Sequence, residues 1–227
     1  MLPEAEAVAR RAAEIIAGEA RAAVAARGAF LLATSGGTTP WRMLRLLAEL
    51  DVPWPFLQLF QVDERVAPAG DADRNLTHLE ESLLARVPLP PGQFHAMPVE
   101  EADLERAAAR YATTLRDIAG EPPVLDLVHL GLGDDGHTAS LVPGDAALDV
   151  VDADVAVTGS YQGRRRMTLT FPLLNRARRL LWVVTGSRKR EALARLCRGD
   201  HSLPAARLRA NSTWLVADRA AAGSPTP

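Results

Sequence analysis

What most constrains this chain is a recurring change of hydrophobic period. Four short runs are continuously apolar: "AFLLAT" (29–34), "PFLQLFQV" (55–62), "VLDLVHLGLG" (124–133) and "RLLWVVTG" (179–186). Each ends in a glycine-rich or polar loop, and three of them lead into helical spacing at "WRMLRLLAEL", "LTHLEESLLARV" and "SRKREALARLC". A continuous run, in contrast to an alternating one, marks a strand covered on both faces, the pattern of a parallel sheet whose crossovers are helices. The expected fold class is therefore α/β: a three-layer sandwich with a mostly parallel sheet and helices on both faces. Residues 3–27 form an alanine-rich amphipathic helix with Gly28 at its C-cap, Pro40 is expected to open the helix after "SGGTT", and "EEADLERAAARYATTLRDIAG" covers another crossover. "ADVAVTGS", "RRMTLTFP" and "STWLVADR" are expected as further strands, with antiparallel pairing open for them.

At 227 residues with 48% apolar and 24% charged composition, a single globular domain over 1–219 is expected, followed by a disordered tail "AAAGSPTP" at 220–227. No repeat of fixed period occurs, which argues against a solenoid. The net charge of -2 gives no global reason to bind nucleic acid or an anionic membrane, and a small anion is the better partner. The single cysteine, Cys197, excludes an intramolecular disulfide and a thiolate-built zinc site, and is expected to pack within its helix. With no apolar leader and no run near the roughly 20 residues of a membrane span, a cytoplasmic protein is expected.

In sheets of this kind ligands bind outside the carboxyl ends of the strands, where strand order reverses. The loops there carry the chemistry. "SGGTTP" places Ser35, Gly36, Gly37 and Thr38 ahead of a helix, a fit for a phosphate cradle or for a plain tight turn. It matches neither dinucleotide nor Walker spacing. "DER" offers Asp63 for hydroxyls and Arg65 for a bidentate anion contact, or else a solvated charged loop, and Asn75 reads as a helix N-cap. Lys189 is the only lysine in the chain and stands at a helix start, where a second positive charge is unfavourable unless an anion or Glu191 offsets it. Arg166 closes a run of three arginines, one or more of which faces solvent. His78, His95, His129 and His201 lack the paired spacing of a metal site and read as structural. His137 differs: "GLGDDGH" (131–137) puts it in glycine-flanked backbone two residues after Asp135, a carboxylate able to fix its tautomer.

Taken together, "SGGTTP", "DER" with "DADRN", "GLGDDGHTASLVPG", "RRMTLTFPLLN" and "VTGSRKREAL" resemble the 6-phosphogluconolactonase family in order and approximate separation, from about residue 28 to about residue 218. The resemblance implies a modified Rossmann-like sandwich shared with glucosamine-6-phosphate deaminases. It also implies hydrolysis of 6-phospho-D-glucono-1,5-lactone to 6-phosphogluconate with no metal and no organic cofactor. By position His137 is the implied catalytic histidine, activating water, and Asp135 its orienting partner. Arg65, Arg166, Lys189 and the Ser35–Gly36–Gly37–Thr38 loop are implied to surround phosphate and sugar, with Asp63 and Asn75 beside them. The family commonly has "SLFP" where this chain has Ser140 to Pro143, a conservative change at Val142. The implied partner is a phosphosugar lactone, and a monomer or weak homodimer is expected. Two rivals are a glucosamine-6-phosphate deaminase/isomerase, whose "IAFNEP" acid is replaced here by "TASLVPG", and a non-enzymatic sugar-phosphate sensor, which would need a DNA-binding segment.

Overall fold

The structure, a computed structural model, describes residues 1–209 and 212–223. The expected first helix is α1 (Ala5–Arg27), closed by Gly28 in the left-handed region at φ 79°, whose N–H reaches Val24 O. Strands β1 (Phe30–Thr34), β2 (Leu57–Gln61), β4 (Phe94–His95), β5 (Leu127–Leu130), β8 (Leu180–Val184) and β9 (Thr213–Ala217) make a six-stranded sheet. Its order is β4-β2-β1-β5-β8-β9, and every neighbouring pair is parallel.

Alternate residues of these strands feed two cores. Phe30, Leu32, Leu57, Leu59, Leu127, Leu181 and Val183 pack with α1 and with α2 (Thr38–Leu47) on one face. Ala33, Phe60, Val128, Leu130, Trp182 and Val184 pack on the other with α4 (Leu104–Ala119) and α6 (Arg190–Cys197). Both faces are covered, which is why the strands read as unbroken apolar runs. From β1 the chain steps outward through β2 to β4; from β5 it steps the opposite way through β8 to β9. Strand order therefore reverses between β1 and β5.

A second, three-stranded sheet corrects the reading of "DER" as a loop. β3 (Asp63–Arg65) pairs antiparallel with β7 (Arg166–Leu169), which pairs antiparallel with β6 (Val155–Val157). Three consecutive charged residues have little strand preference of their own. The strand persists because Glu64 is fully buried and satisfied. Its carboxylate accepts from the amides of Arg65 and Asn75 at 2.8 Å, from Leu76 N at 2.7 Å and from the Gln61 side chain at 2.8 Å, while the buried Arg74 guanidinium lies 3.3 Å away. Glu64 thus serves the start of α3 (Asn75–Ser82) in place of a local cap. Asn75, expected as that N-cap, is the first helical residue instead, and its side chain turns toward Asp63 and Arg65.

Other boundaries move for local reasons. α2 begins at Thr38, so Pro40 is its third residue, where an absent N–H breaks no helical bond. α5 (Phe171–Arg176) occupies the turn after β7. The expected tail begins instead as α7 (Arg219–Ala222), capped by Asp218 and burying Ala221, while residues 224–227 lie outside the described residues. Cys197 is exposed at the end of α6, so packing does not explain it. No helix among the described residues is long and apolar enough to cross a membrane.

His129, on β5, bears out its structural reading. Its Nδ1 accepts the Ser35 amide at 3.3 Å, and burial pushes its pKa down to about 3 from 6.5. Between those pH values the unfolded chain takes up a proton that the folded chain refuses, so stability falls as pH drops from 6.5 toward 3. Unfolding free energies from urea titrations across that window should fall more steeply with falling pH in the parent than in His129→Gln, by up to about 1.4 kcal/mol per pH unit; parallel slopes would contradict a neutral, buried His129.

Candidate active site

The carboxyl ends of β1, β5 and β8 open on a cleft of about 540 Å³, within the usual size for a small-molecule site. Ser35, Gly36, Gly37, Thr38, Asp63, Arg65, Asn75, His137, Arg166 and Lys189, all selected from the sequence, line it. Asp135 stands behind His137.

The loop after β5 is a tight turn that aims the histidine. Gly133 N donates to His137 O at 2.8 Å, Gly136 N donates to Gly133 O at 3.1 Å, and Thr138 Oγ1 donates to Gly131 O at 2.9 Å. His137 Nδ1 lies 2.6 Å from Asp135 Oδ1, which also accepts the His137 amide at 3.1 Å. Burial raises the Asp135 pKa, but the hydrogen bonds and charge of His137, with a further bond from Tyr161, outweigh it and leave the carboxyl below its ordinary value. An ionised Asp135 assigns the proton to Nδ1 and leaves the Nε2 lone pair free. Gly133 has to be glycine, because a Cβ there would overlap both His137 Nδ1 and Asp135.

Cations and amides furnish the remainder of the cleft. Among the described residues, the amides of Gly36, Gly37 and Thr38 have no protein acceptor, and they stand at the start of α2. Ser35 lines the cleft with its amide and hydroxyl both donating to His129. A Cβ at Gly36 would fall on the Asn75 side chain and Trp41, so the glycine allows this loop to approach α3. Arg65 donates to Asn75 Oδ1 and to Asp73 O, and Asn75 Nδ2 donates to Asp63 O at 2.9 Å. Asp63 accepts the Ser140 hydroxyl at 2.6 Å, so one of its oxygens is engaged within the protein.

The three consecutive arginines divide. Arg166 is buried against the cleft, Arg165 faces Glu105, and Arg164 ties Asp71 and Asp73 at 3.1 and 2.9 Å. Lys189 lies in the one-turn helix Ser187–Lys189 ahead of α6, and its Nζ is 2.6 Å from Asp134. Asp134, not Glu191, is therefore its partner. Thr39 and Thr185 hydroxyls, 2.7 Å apart, tie the β8 loop to α2.

Sequence reasoning passed over Asp134, Ser140, Tyr161 and Arg188. Asp134 was legible as the neighbour of Asp135. Tyr161 had no signal beyond the "QG" turn pair that follows it. No cluster of metal-ligating side chains occurs among the described residues.

Comparison with known proteins decides the family. A family model described as "Glucosamine-6-phosphate isomerases/6-phosphogluconolactonase" matches residues 3–217. The chain belongs to this family. It is 40% identical over 178 residues to a 6-phosphogluconolactonase of Synechocystis, covering 77% of this chain and 74% of that one. It is 35% identical over 241 residues to a 6-phosphogluconolactonase of Mycobacterium tuberculosis, covering 100% and 98%. The crystal structure of a 6-phosphogluconolactonase from Thermotoga maritima superposes with a TM-score of 0.85 at 27% identity, over 96% of this chain and 98% of that one. The family's sandwich is thus the fold of this chain, and its glycine-rich loops fall at the reversal of strand order.

The Lys189–Asp134 pair makes any anion entering the cleft compete with a carboxylate. Half-exposed pairs of this kind are worth about 0.2–1 kcal/mol. Asp134→Asn should therefore lower the Kd for inorganic phosphate, measured by calorimetry, by up to about fivefold; weaker binding would show that Asp134 instead holds Lys189 in place.

Proposed function

We propose that the chain hydrolyses 6-phospho-D-glucono-1,5-lactone to 6-phospho-D-gluconate, the second step of the oxidative pentose phosphate pathway, with His137 as general base. One observation carries the reading. Adjacent residues Asp134 and Asp135 hold Lys189 and His137 respectively, so a cation and a base face one small cleft. A substrate with a phosphate at one end and a reacting carbon at the other fits that arrangement. The names of the relatives, each a 6-phosphogluconolactonase, support the same activity.

The chemistry asks little of the protein. A lactone carbonyl is already electrophilic, so positioning and one base suffice and no covalent nucleophile is required. Water attacks C1 while His137 Nε2 takes its proton; the tetrahedral carbon then collapses, the bond from C1 to the ring oxygen breaks, and the imidazolium returns a proton to that oxygen. The new carboxylic acid ionises to solvent. Asp135 keeps the imidazole in the required tautomer and stabilises its cation. Lys189, Arg65, Arg166 and the Gly36–Thr38 amides hold the phosphate and sugar, and binding energy from that nonreacting end orients C1 against the water.

Deaminase chemistry is less well served. The segment after His137 offers no carboxylate, and its Ser140 is buried and bonded to Asp63. Ammonia release from glucosamine 6-phosphate would revive that alternative.

The test supplies fresh lactone from glucose-6-phosphate dehydrogenase and corrects for spontaneous hydrolysis. His137→Ala should lower kcat by about 10²–10⁴ with KM little changed. Lys189→Ala should chiefly raise KM. Near-parental turnover in His137→Ala at saturating lactone would sink the assignment, and a parent chain without lactonase activity would overturn the reading as a whole.

A further inference from the structure

The hairpin between β6 and β7 delivers Arg166 to the cleft, and its turn is unusual. Gln162 and Gly163 both have positive φ, 53° and 79°, while Tyr161 N donates to Arg164 O at 2.9 Å and Arg164 N to Tyr161 O at 3.3 Å. This is the type I′ geometry that suits a two-residue hairpin, here with a non-glycine residue in the left-handed region. Arg164 clasps Asp71 and Asp73 on the loop before α3, so the tip is anchored from outside the hairpin.

The anchored turn holds Tyr161 between the His137–Asp135 pair and Arg166. Its hydroxyl donates to Asp135 Oδ2 at 3.0 Å, the oxygen that His137 leaves open. Its ring meets the His137 ring edge-on at 5.3 Å between centroids. On the other side the Arg166 guanidinium carbon lies 5.0 Å from the ring centroid, and Arg166 Nη2 donates to Gln162 Oε1 at 3.3 Å. Arg166 is buried, its Nε has no partner among the described residues, and its Nη1 lies at the limit of bonding distance from Ser140 Oγ, 3.5 Å, so the tyrosine ring is a principal support of that cation.

We infer that Tyr161 is a positioning residue that joins the two halves of the site: its hydroxyl fixes Asp135 behind His137, and its ring seats Arg166 toward the anionic end of the substrate. The kinetic part of this inference rests on the lactonase reading above. Asp135 is bonded on both carboxylate oxygens and cannot rotate without losing one bond, and Arg166 cannot swing from the ring without losing its support. The tyrosine thereby makes the spacing between base and cation a property of one rigid side chain.

Two variants separate the two contacts. Tyr161→Phe keeps the ring and removes the hydroxyl, so kcat should fall by about threefold to tenfold while KM stays within about twofold. Tyr161→Leu removes both contacts, so kcat should fall comparably and KM should rise by about threefold to tenfold. A role confined to folding would change neither parameter selectively. Parental kcat in Tyr161→Phe, or parental KM in Tyr161→Leu, overturns the inference. If the parent chain proves not to be a lactonase, two readouts still decide. The downfield proton resonance of His137 Nδ1–H should broaden in Tyr161→Phe, and the Kd for inorganic phosphate should rise in Tyr161→Leu; both unchanged would refute the role.

Discussion

The cleft depends on β1 and β5 lying side by side while their chain continuations leave in opposite directions. Register pairs Leu32 with Leu127 and Ala33 with Val128, and it places the turns after Thr34 and after Leu130 next to one another at the same sheet edge. The connection leaving β1 goes to β2 and the one leaving β5 goes to β8, in opposite directions, which opens a crevice between the two loops. The gap left there receives the glycine loop before α2 from one side and the histidine turn from the other. Apolar packing supplies the rigidity, since alternate side chains of the same strands belong to two separate cores.

Buried polar groups convert that rigid edge into a defined site. His129, inside the sheet, accepts the amide and receives the hydroxyl of Ser35, and so fixes where the glycine loop begins. Glu64, inside the smaller sheet, gathers the amides that start α3, and so fixes Asn75 relative to Arg65. Neither residue faces the cleft, yet both set the position of residues that do. Burying such groups is costly unless their polar atoms find partners: Glu64 is fully satisfied, while His129 is bonded at Nδ1 and at its carbonyl but its buried Nε2 has no partner among the described residues.

Five strands of the large sheet were legible in the sequence, four of them because burial on both faces writes itself as unbroken apolar runs; β4, two residues long and carrying His95, reads as a loop. Of the small sheet, β6 and β7 were legible as strands with antiparallel pairing open, and β3 was not. "DER" has the composition of a loop, and the reason it is a strand lies about a hundred residues away in β7 and in the buried charge of Glu64. The same asymmetry holds for the site. His137 and Asp135 are two residues apart and their bond follows from a local turn, so they could be read together. Lys189 and Asp134, or Tyr161 and Asp135, meet only through the fold. Asn75 was selected for a helix cap and proved to be a link between Arg65 and Asp63, because a distant carboxylate had already taken the capping role. Ser35 was selected with the glycine loop for the phosphate end, and its donors to His129 could not be read from the sequence.

The central claim is that one end of the cleft holds a phosphate while the other presents a base to the reacting carbon. A crystal structure with 6-phosphogluconate bound tests it directly. The account predicts the phosphate among Lys189, Arg166 and the amides of Gly36 and Gly37, with the C1 carboxylate within direct or single-water hydrogen-bonding reach of His137 Nε2. A phosphate seated at His137, or a C1 carboxylate turned toward Lys189, would contradict it.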